Sequence, residues 1–81
     1  MMEKHFVYIL KSEVHGRYYT GRSTKPDSRL YFHNQGLNTS TRSGVHWRRV
    51  WLSEAMSLKE ASILEIRIKK RGAERFLADS L

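Results

Sequence analysis

The sequence predicts a small α/β (α+β) fold in which helices flank a three-stranded, mostly antiparallel sheet, in the order β-β-α-β-α with a short C-terminal helix. Three observations predict it. Residues 6–10 form an apolar run, and residues 17–22 return as a second strand after a glycine-containing break, as in a hairpin. The third strand, Trp47–Leu52, stands between two segments with helix-start signals. At 81 residues, the chain is expected to form one domain over residues 1–81.

The first hairpin has a predicted register. Gly16 suits the turn because it can take a positive φ. If Tyr8 lies opposite Gly21, then Leu10 lies opposite Tyr19, and the two tyrosines share one face of the sheet as diagonal neighbours. Since Gly21 has no side chain, we expect an opening above Tyr8 in which a ligand or a backbone can come close.

The first helix has clear start and stop signals. Thr24 is the predicted cap, Pro26 fits the first turn, and Asp27 suits the positive end of the helix dipole. The helix should run to about Gln35, with Gly36 as its terminator.

The second helix is predicted from a capping box formed by Ser57 and Glu60. Its apolar positions recur at helical spacing, at Leu58, Ala61, Leu64 and Ile68. It should end near Gly72, and Ala73–Asp79 can add one or two helical turns.

Residues 36–46 are rich in Gly, Asn, Ser and Thr and are predicted to form a mobile surface loop.

The charge indicates a partner class. The net charge is +7, from 15 Lys and Arg against 8 Asp and Glu. Nucleic acid is the commonest partner for such a field, followed by an anionic membrane surface.

Cysteine is absent, which excludes disulfides and thiolate zinc sites and fits a cytoplasmic protein. The short apolar run at the start is too brief for a signal peptide or a membrane span, and no membrane partner is expected.

Two tripeptides and their spacing give a more specific indication. Residues 6–8 read FVY, and residues 19–21 read YTG. Arg29 stands eight residues after the second tripeptide, His33 follows four later, and Glu65 lies shortly before an Ile-Lys pair. From about residue 6 to about residue 70, the chain resembles the GIY-YIG nuclease superfamily. Within it, the chain is similar to the small single-domain bacterial subgroup and to the nuclease domain of bacterial excision repair.

This resemblance implies a DNA endonuclease that hydrolyses phosphodiester bonds with one divalent metal ion, Mg²⁺ or Mn²⁺, and that acts in DNA repair. Larger members carry a second domain that selects the target, so the resemblance implies structure-guided or weakly specific cleavage here, or a protein partner that supplies specificity. Two alternatives stay open. One is a catalytically weak or inactive nucleic-acid-binding module of the same fold, and the other is a basic RNA-associated protein unrelated to nucleases.

The predicted catalytic residues are Tyr8, Tyr19, Arg29 and His33. Tyr8 would orient or deprotonate the attacking water, and His33 could take the phenol proton, since imidazole titrates near neutrality. Tyr19 would donate to the phosphate or position water, and Arg29 matches phosphate with its planar fork. Each has an alternative: Tyr8 as a half-buried strand residue, Tyr19 as cross-strand packing, Arg29 as an ion pair with Asp27 or a later carboxylate, and His33 as a helix-surface residue.

Glu65 is the predicted metal ligand. It shares a helix face with apolar residues, where an unpaired carboxylate is costly. We therefore expect it to point inward and to be free of Lys69, while an i,i+4 pair with Lys69 is the alternative. Glu60 is a rival ligand that its capping-box position already explains.

Six basic residues are predicted to contact nucleic acid, giving salt-dependent and largely sequence-independent affinity. They are Arg22, Arg42, Arg48, Arg49, Lys69 and Lys70. A solvent-exposed strand residue is the alternative for Arg22, and His5, His15 and His46 are read as surface residues. The sequence departs from the family in two places: Phe6 replaces a glycine, and no asparagine follows Asn38.

Overall fold

The structure is a computed structural model, which describes residues 3–80. The predicted element order is confirmed, with a short 3-10 turn added in the loop before the third strand. The elements are β1 (Phe6–Ser12), β2 (Tyr18–Ser23), α1 (Pro26–Asn34), the 3-10 turn (Arg42–Gly44), β3 (Trp47–Leu52), α2 (Leu58–Arg71) and α3 (Ala73–Asp79). Within residues 3–80, no helix has the length and apolar character needed to cross a membrane.

The sheet is antiparallel throughout, with the order β2-β1-β3. The predicted hairpin register is confirmed: Tyr8 pairs with Gly21 and Leu10 with Tyr19. Gly16 has a φ of 72°, which an L side chain rarely adopts, and so it allows the tight turn between the strands.

A β-bulge interrupts the pairing of β1 with β3. Ile9 lies opposite Trp51, but the next residue of β1, Leu10, lies opposite Arg49, so Val50 is the extra residue. In a regular strand, Trp47 and Trp51 would point to the same side, because four residues are two full pleats. The bulge places them on opposite faces of the sheet.

Each face of the sheet carries its own hydrophobic cluster. On one face, Tyr8, Leu10 and Trp47 pack with Leu30 of α1. On the other, alternate residues of β1 pack against α2 and α3 in a cluster that comprises Val7, Ile9, Ala61 and Ile68 with Leu64 and Phe76 beside it. The sheet is therefore the central layer, with α1 on one side and the two C-terminal helices on the other.

The helix starts agree with the sequence in one case and differ in the other. Ser57 and Glu60 form the predicted capping box, with Glu60 N donating to Ser57 Oγ over 3.1 Å. Thr24, however, is not the cap of α1: Lys25 occupies that position without a side-chain cap. Leu58 was expected to pack with the apolar face of α2, but it is 50% exposed, since it lies in the first turn beyond the edge of the cluster.

The prediction that residues 36–46 form a surface loop is partly wrong. Thr41 and Gly44 are buried, because the loop folds back over the sheet. The Trp47 indole Nε1 donates to the Thr41 carbonyl over 2.8 Å, and the Asn34 side chain bonds both backbone groups of Trp47. These bonds fix the loop next to the end of α1.

Candidate active site

Tyr8 lies at the centre of the candidate site. Its side chain sits directly above Gly21, where a Cβ atom would stand 2.6 Å from the phenol oxygen. The opening that we expected above Tyr8 is therefore filled by the phenol itself, and Tyr8 is only 1% exposed. The local sequence explains this arrangement, since only glycine at position 21 leaves room for the ring on this face of the hairpin.

His33 comes from the last turn of α1 and is completely buried. Its Nε2 atom lies 3.2 Å from the Tyr8 hydroxyl, and its Nδ1 atom lies 2.8 Å from the Thr41 hydroxyl. Burial, and then the nearby charge of Arg29, lower the pKa of His33. His33 is thus no surface histidine but a neutral imidazole in contact with the phenol.

Tyr19 completes an aromatic group around this pair. Its ring centre is 4.8 Å from that of His33 and 6.4 Å from that of Tyr8. It also packs edge-on against Trp47 at 6.4 Å. The predicted placement of both tyrosines on one face of the sheet is confirmed, and packing alone accounts for the position of the Tyr19 ring.

Arg29 lies beside Tyr8 and is not paired with Asp27, as one alternative had it, because Asp27 is bonded to Arg49 at 2.7 Å. The Arg29 guanidinium is 4.2 Å from the ring centre of Phe32. Burial raises the pKa of the Tyr8 hydroxyl, and the Arg29 guanidinium within hydrogen-bonding reach opposes that rise. Tyr8 therefore stays protonated while the cation that would stabilise its anion stands next to it.

Glu65 approaches from α2, on the opposite side of the sheet. Our expectation that it is free of Lys69 is wrong: its carboxylate bonds Lys69 at 2.9 Å and Arg22 of β2 at 3.1 Å. Both cations reach it because Lys69 follows one turn later on α2 and Arg22 projects from the neighbouring strand. The side chain is only 16% exposed, and its charge makes a minor contribution to the raised pKa of Tyr8. The carboxylate is therefore not turned to open solvent, but it approaches from the α2 side of the sheet while the phenol packs on the α1 side.

Comparison with known proteins shows the family of the chain. The family model of the GIY-YIG catalytic domain matches residues 4–76, most of the 81-residue chain. This chain belongs to the GIY-YIG family. No match was found among curated proteins or solved structures. GIY-YIG domains are in general nucleases that use divalent metals, so a nuclease-type function on a nucleic-acid substrate follows for this chain.

For the metal ion that the GIY-YIG family implies, Glu65 is a suitable donor. Among residues 3–80, no cluster of three or more His, Cys, Asp or Glu side chains could hold an ion. A single carboxylate still fits a hydrated magnesium ion, which keeps most of its water shell and takes phosphate oxygens as further ligands. Glu65 offers that carboxylate, whereas a Glu60 oxygen accepts from Ser57 N at 3.1 Å and is committed to the capping box. An ion at Glu65 would compete with Arg22 and Lys69.

The six basic residues predicted to contact nucleic acid differ in the bonds that they make in this GIY-YIG chain. Arg22 and Lys69 bond Glu65, and Arg49 bonds Asp27. Arg42, Arg48 and Lys70 are exposed, and Arg42 donates to the Gly36 carbonyl over 3.1 Å. Of the three histidines read as surface residues, His15 is exposed yet packs edge-on against Trp47 at 5.6 Å.

Thr41 is the site residue that sequence reasoning missed. It lies in the loop, eight residues after His33, and nothing in its spacing distinguishes it from the neighbouring Thr39 and Ser40. The fold of the loop alone selects it, since Thr41 is buried against His33 while those neighbours are exposed.

Proposed function

We propose that this GIY-YIG chain is a DNA endonuclease that hydrolyses phosphodiester bonds with one divalent metal ion, with structure-guided or weakly specific cleavage. The observation that supports the proposal is the set of groups around one phenol. Tyr8 contacts the neutral His33 imidazole and packs near the Tyr19 ring, and the charges of Arg29 and, to a lesser extent, Glu65 act on the pKa of its hydroxyl. Phosphodiester hydrolysis needs these kinds of group: a base, a cation for the phosphoryl oxygens and a metal ligand.

The protonation states suit a general base. The lowered pKa of His33 keeps its ring neutral at pH 7, and the raised pKa of Tyr8 keeps the phenol protonated. The Tyr8 hydroxyl can then take a proton from the attacking water as it passes its own to His33 Nε2, 3.2 Å away. Arg29 would neutralise the charge that develops on the phosphoryl group, and Tyr19 would position the water or the phosphate.

Glu65 would hold the metal ion, Mg²⁺ or Mn²⁺. When bound, the ion supplies charge neutralisation at the phosphoryl oxygens and at the leaving oxygen. Arg22 and Lys69, which bond Glu65, would then be released to contact the DNA backbone. Arg22 and Lys69 would thus pair with the Glu65 carboxylate when no ion is bound there, and with DNA phosphates when one is.

A nicking assay tests the proposal. Plain, branched and flapped DNA duplexes are incubated in Mg²⁺ or Mn²⁺ with the wild type and with the double variant Arg29→Ala, Glu65→Ala. The wild type should cleave at least one of these substrates, and the double variant should not. The matched control is Glu74→Ala, Arg75→Ala, which removes the same charges from exposed positions of α3. Equal cleavage by the wild type and the site variant would refute the proposal.

A second candidate is a binding module that has kept the fold without the activity. Two observations favour it: cations occupy the Glu65 carboxylate, and Tyr8 is buried. It predicts DNA or RNA binding that weakens steeply with salt, is unaffected by Tyr8→Phe, and is accompanied by no cleavage. Metal-dependent cleavage that is lost in Tyr8→Phe decides for the nuclease.

A further inference from the structure

A buried hydrogen-bond chain links Tyr8 to the loop after α1. The Tyr8 hydroxyl lies 3.2 Å from His33 Nε2, and His33 Nδ1 lies 2.8 Å from the Thr41 hydroxyl. The Thr41 hydroxyl in turn donates to the Asn38 carbonyl at 3.5 Å. All three linked side chains are at most 1% exposed, so solvent does not decide where their protons lie.

The donors and acceptors of this chain fix its direction. The Thr41 hydroxyl has one proton, which it donates to the Asn38 carbonyl, so toward His33 Nδ1 it can only accept. The proton of the neutral ring is therefore on Nδ1. Nε2 then carries no proton and accepts from the Tyr8 hydroxyl.

We propose that Thr41 is a positioning residue, whose hydroxyl accepts from His33 Nδ1–H and thereby keeps Nε2 free to receive the Tyr8 proton. The proposal deepens the proposed function, on which its catalytic part rests. Thr41 touches no reacting atom and acts through the tautomer of His33. Its hydroxyl also accepts from Nδ1–H when the ring is protonated, so it serves both forms of the base.

Further bonds from outside α1 hold Thr41 in place. The Thr41 carbonyl accepts from Trp47 Nε1 at 2.8 Å and from Gly44 N at 3.1 Å. The acceptor for His33 is thus fixed to β3 and the 3-10 turn. The loop after α1, which we expected to be mobile, is then part of the catalytic arrangement.

The test measures the tautomer directly. Nitrogen chemical shifts in ¹⁵N-histidine-labelled protein distinguish Nδ1–H from Nε2–H, and His33→Gln assigns the signal. The wild type should show Nδ1–H at His33. Thr41→Val keeps the side-chain shape but removes the hydroxyl, and it should move the proton to Nε2, while Thr41→Ser should retain Nδ1–H.

Cleavage of a flapped DNA duplex gives the second readout. Thr41→Val should lower kcat by about 10²-fold or more, the usual contribution of a general base, with little change in KM, and Thr41→Ser should restore it. An Nε2–H signal in the wild type, or an unchanged Nδ1–H signal in Thr41→Val, would overturn the proposal even if that variant cleaves normally. Should the wild type cleave no DNA but show the predicted tautomers, Thr41 still positions His33, and the nuclease assignment fails instead.

Discussion

Among single residues, Gly21 makes room for the Tyr8 ring because it has no side chain. A Cβ atom there would stand 2.6 Å from the phenol oxygen and 2.7 Å from Cζ. We predict that Gly21→Ala destabilises the protein by about 1–3 kcal/mol, the usual cost of overpacking, and displaces the phenol from His33. Urea unfolding measures the first effect and the nicking assay measures the second.

A double-mutant cycle separates this contact from a backbone effect. In a Tyr8→Leu background the ring is absent, so adding the methyl group at Gly21 should cost less than in the wild type. If the two costs simply add, the methyl group does not act through Tyr8.

His33 gives a prediction about pH. Its pKa is lowered in the folded protein, so the unfolded chain binds a proton more readily than the native state does. The contribution of the neutral ring is fully present above about pH 6.5, the ordinary histidine value, and is lost as the pH falls through the native pKa. The free energy of unfolding, followed by urea titration from pH 7.5 to pH 5, should fall. His33→Gln should flatten this fall, and an equal slope in both proteins would contradict the assignment.

Lys69 gives a prediction about metal binding. It bonds a Glu65 oxygen at 2.9 Å, so a metal ion has to displace it. Lys69→Met should therefore tighten Mn²⁺ binding, measured by electron paramagnetic resonance without DNA. Lys70→Met removes the same charge one residue further on, from an exposed side chain, and should change the affinity much less. Equal effects of the two variants would mean that only the overall field matters.

At the level of secondary-structure elements, the capping box stabilises the start of α2. Ser57 accepts from Glu60 N, and Glu60 accepts from Ser57 N. Ser57→Ala should cost about 1 kcal/mol, the typical value of a lost helix cap. Ser57→Thr keeps the acceptor and is the matched control for thermal unfolding. A loss as large in the threonine variant would show that the serine acts through packing instead.

The strands and helices were largely predictable, because each depends on neighbours in the sequence. Alternating side chains and Gly16 determine the hairpin, and the capping box determines the start of α2. The bulge at Val50 was not predictable, because no residue type marks it and it arises from pairing with a distant strand. The predicted cap of α1, Thr24, was wrong: Lys25 holds that position without a side-chain cap, and its N–H donates to Ser23 Oγ.

The candidate site was predictable in its residue types but less so in its contacts. The tripeptides and their spacing pointed to Tyr8, Tyr19, Arg29 and His33, and the structure brings these around one phenol. The double pairing of Glu65 depends on Arg22 of another element, which helix periodicity alone does not place. The pair of Glu65 with Lys69, four residues later on the same helix, was considered from the sequence only as an alternative.

For the molecule as a whole, the charge of +7 predicts the salt dependence of DNA binding. Removing a side chain that contacts a phosphate should reduce the slope of log K against log salt by about one unit. We expect this for Arg48→Ala, whose exposed side chain is in the predicted contact set. The exposed Arg75 lies outside that set, and Arg75→Ala should leave the slope nearly unchanged in a fluorescence anisotropy titration. Equal slopes for both variants would argue against a defined contact surface.

The bulge at Val50 also gives the protein two built-in optical reporters. Because it sends Trp47 toward α1 and Trp51 toward α3, where it meets Phe76 edge-on at 5.0 Å, the two indoles sample opposite layers. Replacing either one with phenylalanine leaves a single tryptophan, which can be excited selectively over the tyrosines. Fluorescence from the Trp47-only protein would report on the layer that carries His33, and fluorescence from the Trp51-only protein would report on the C-terminal helices. Any difference between their denaturation midpoints would therefore reveal whether the layer that contains α1 loosens before the rest of the molecule.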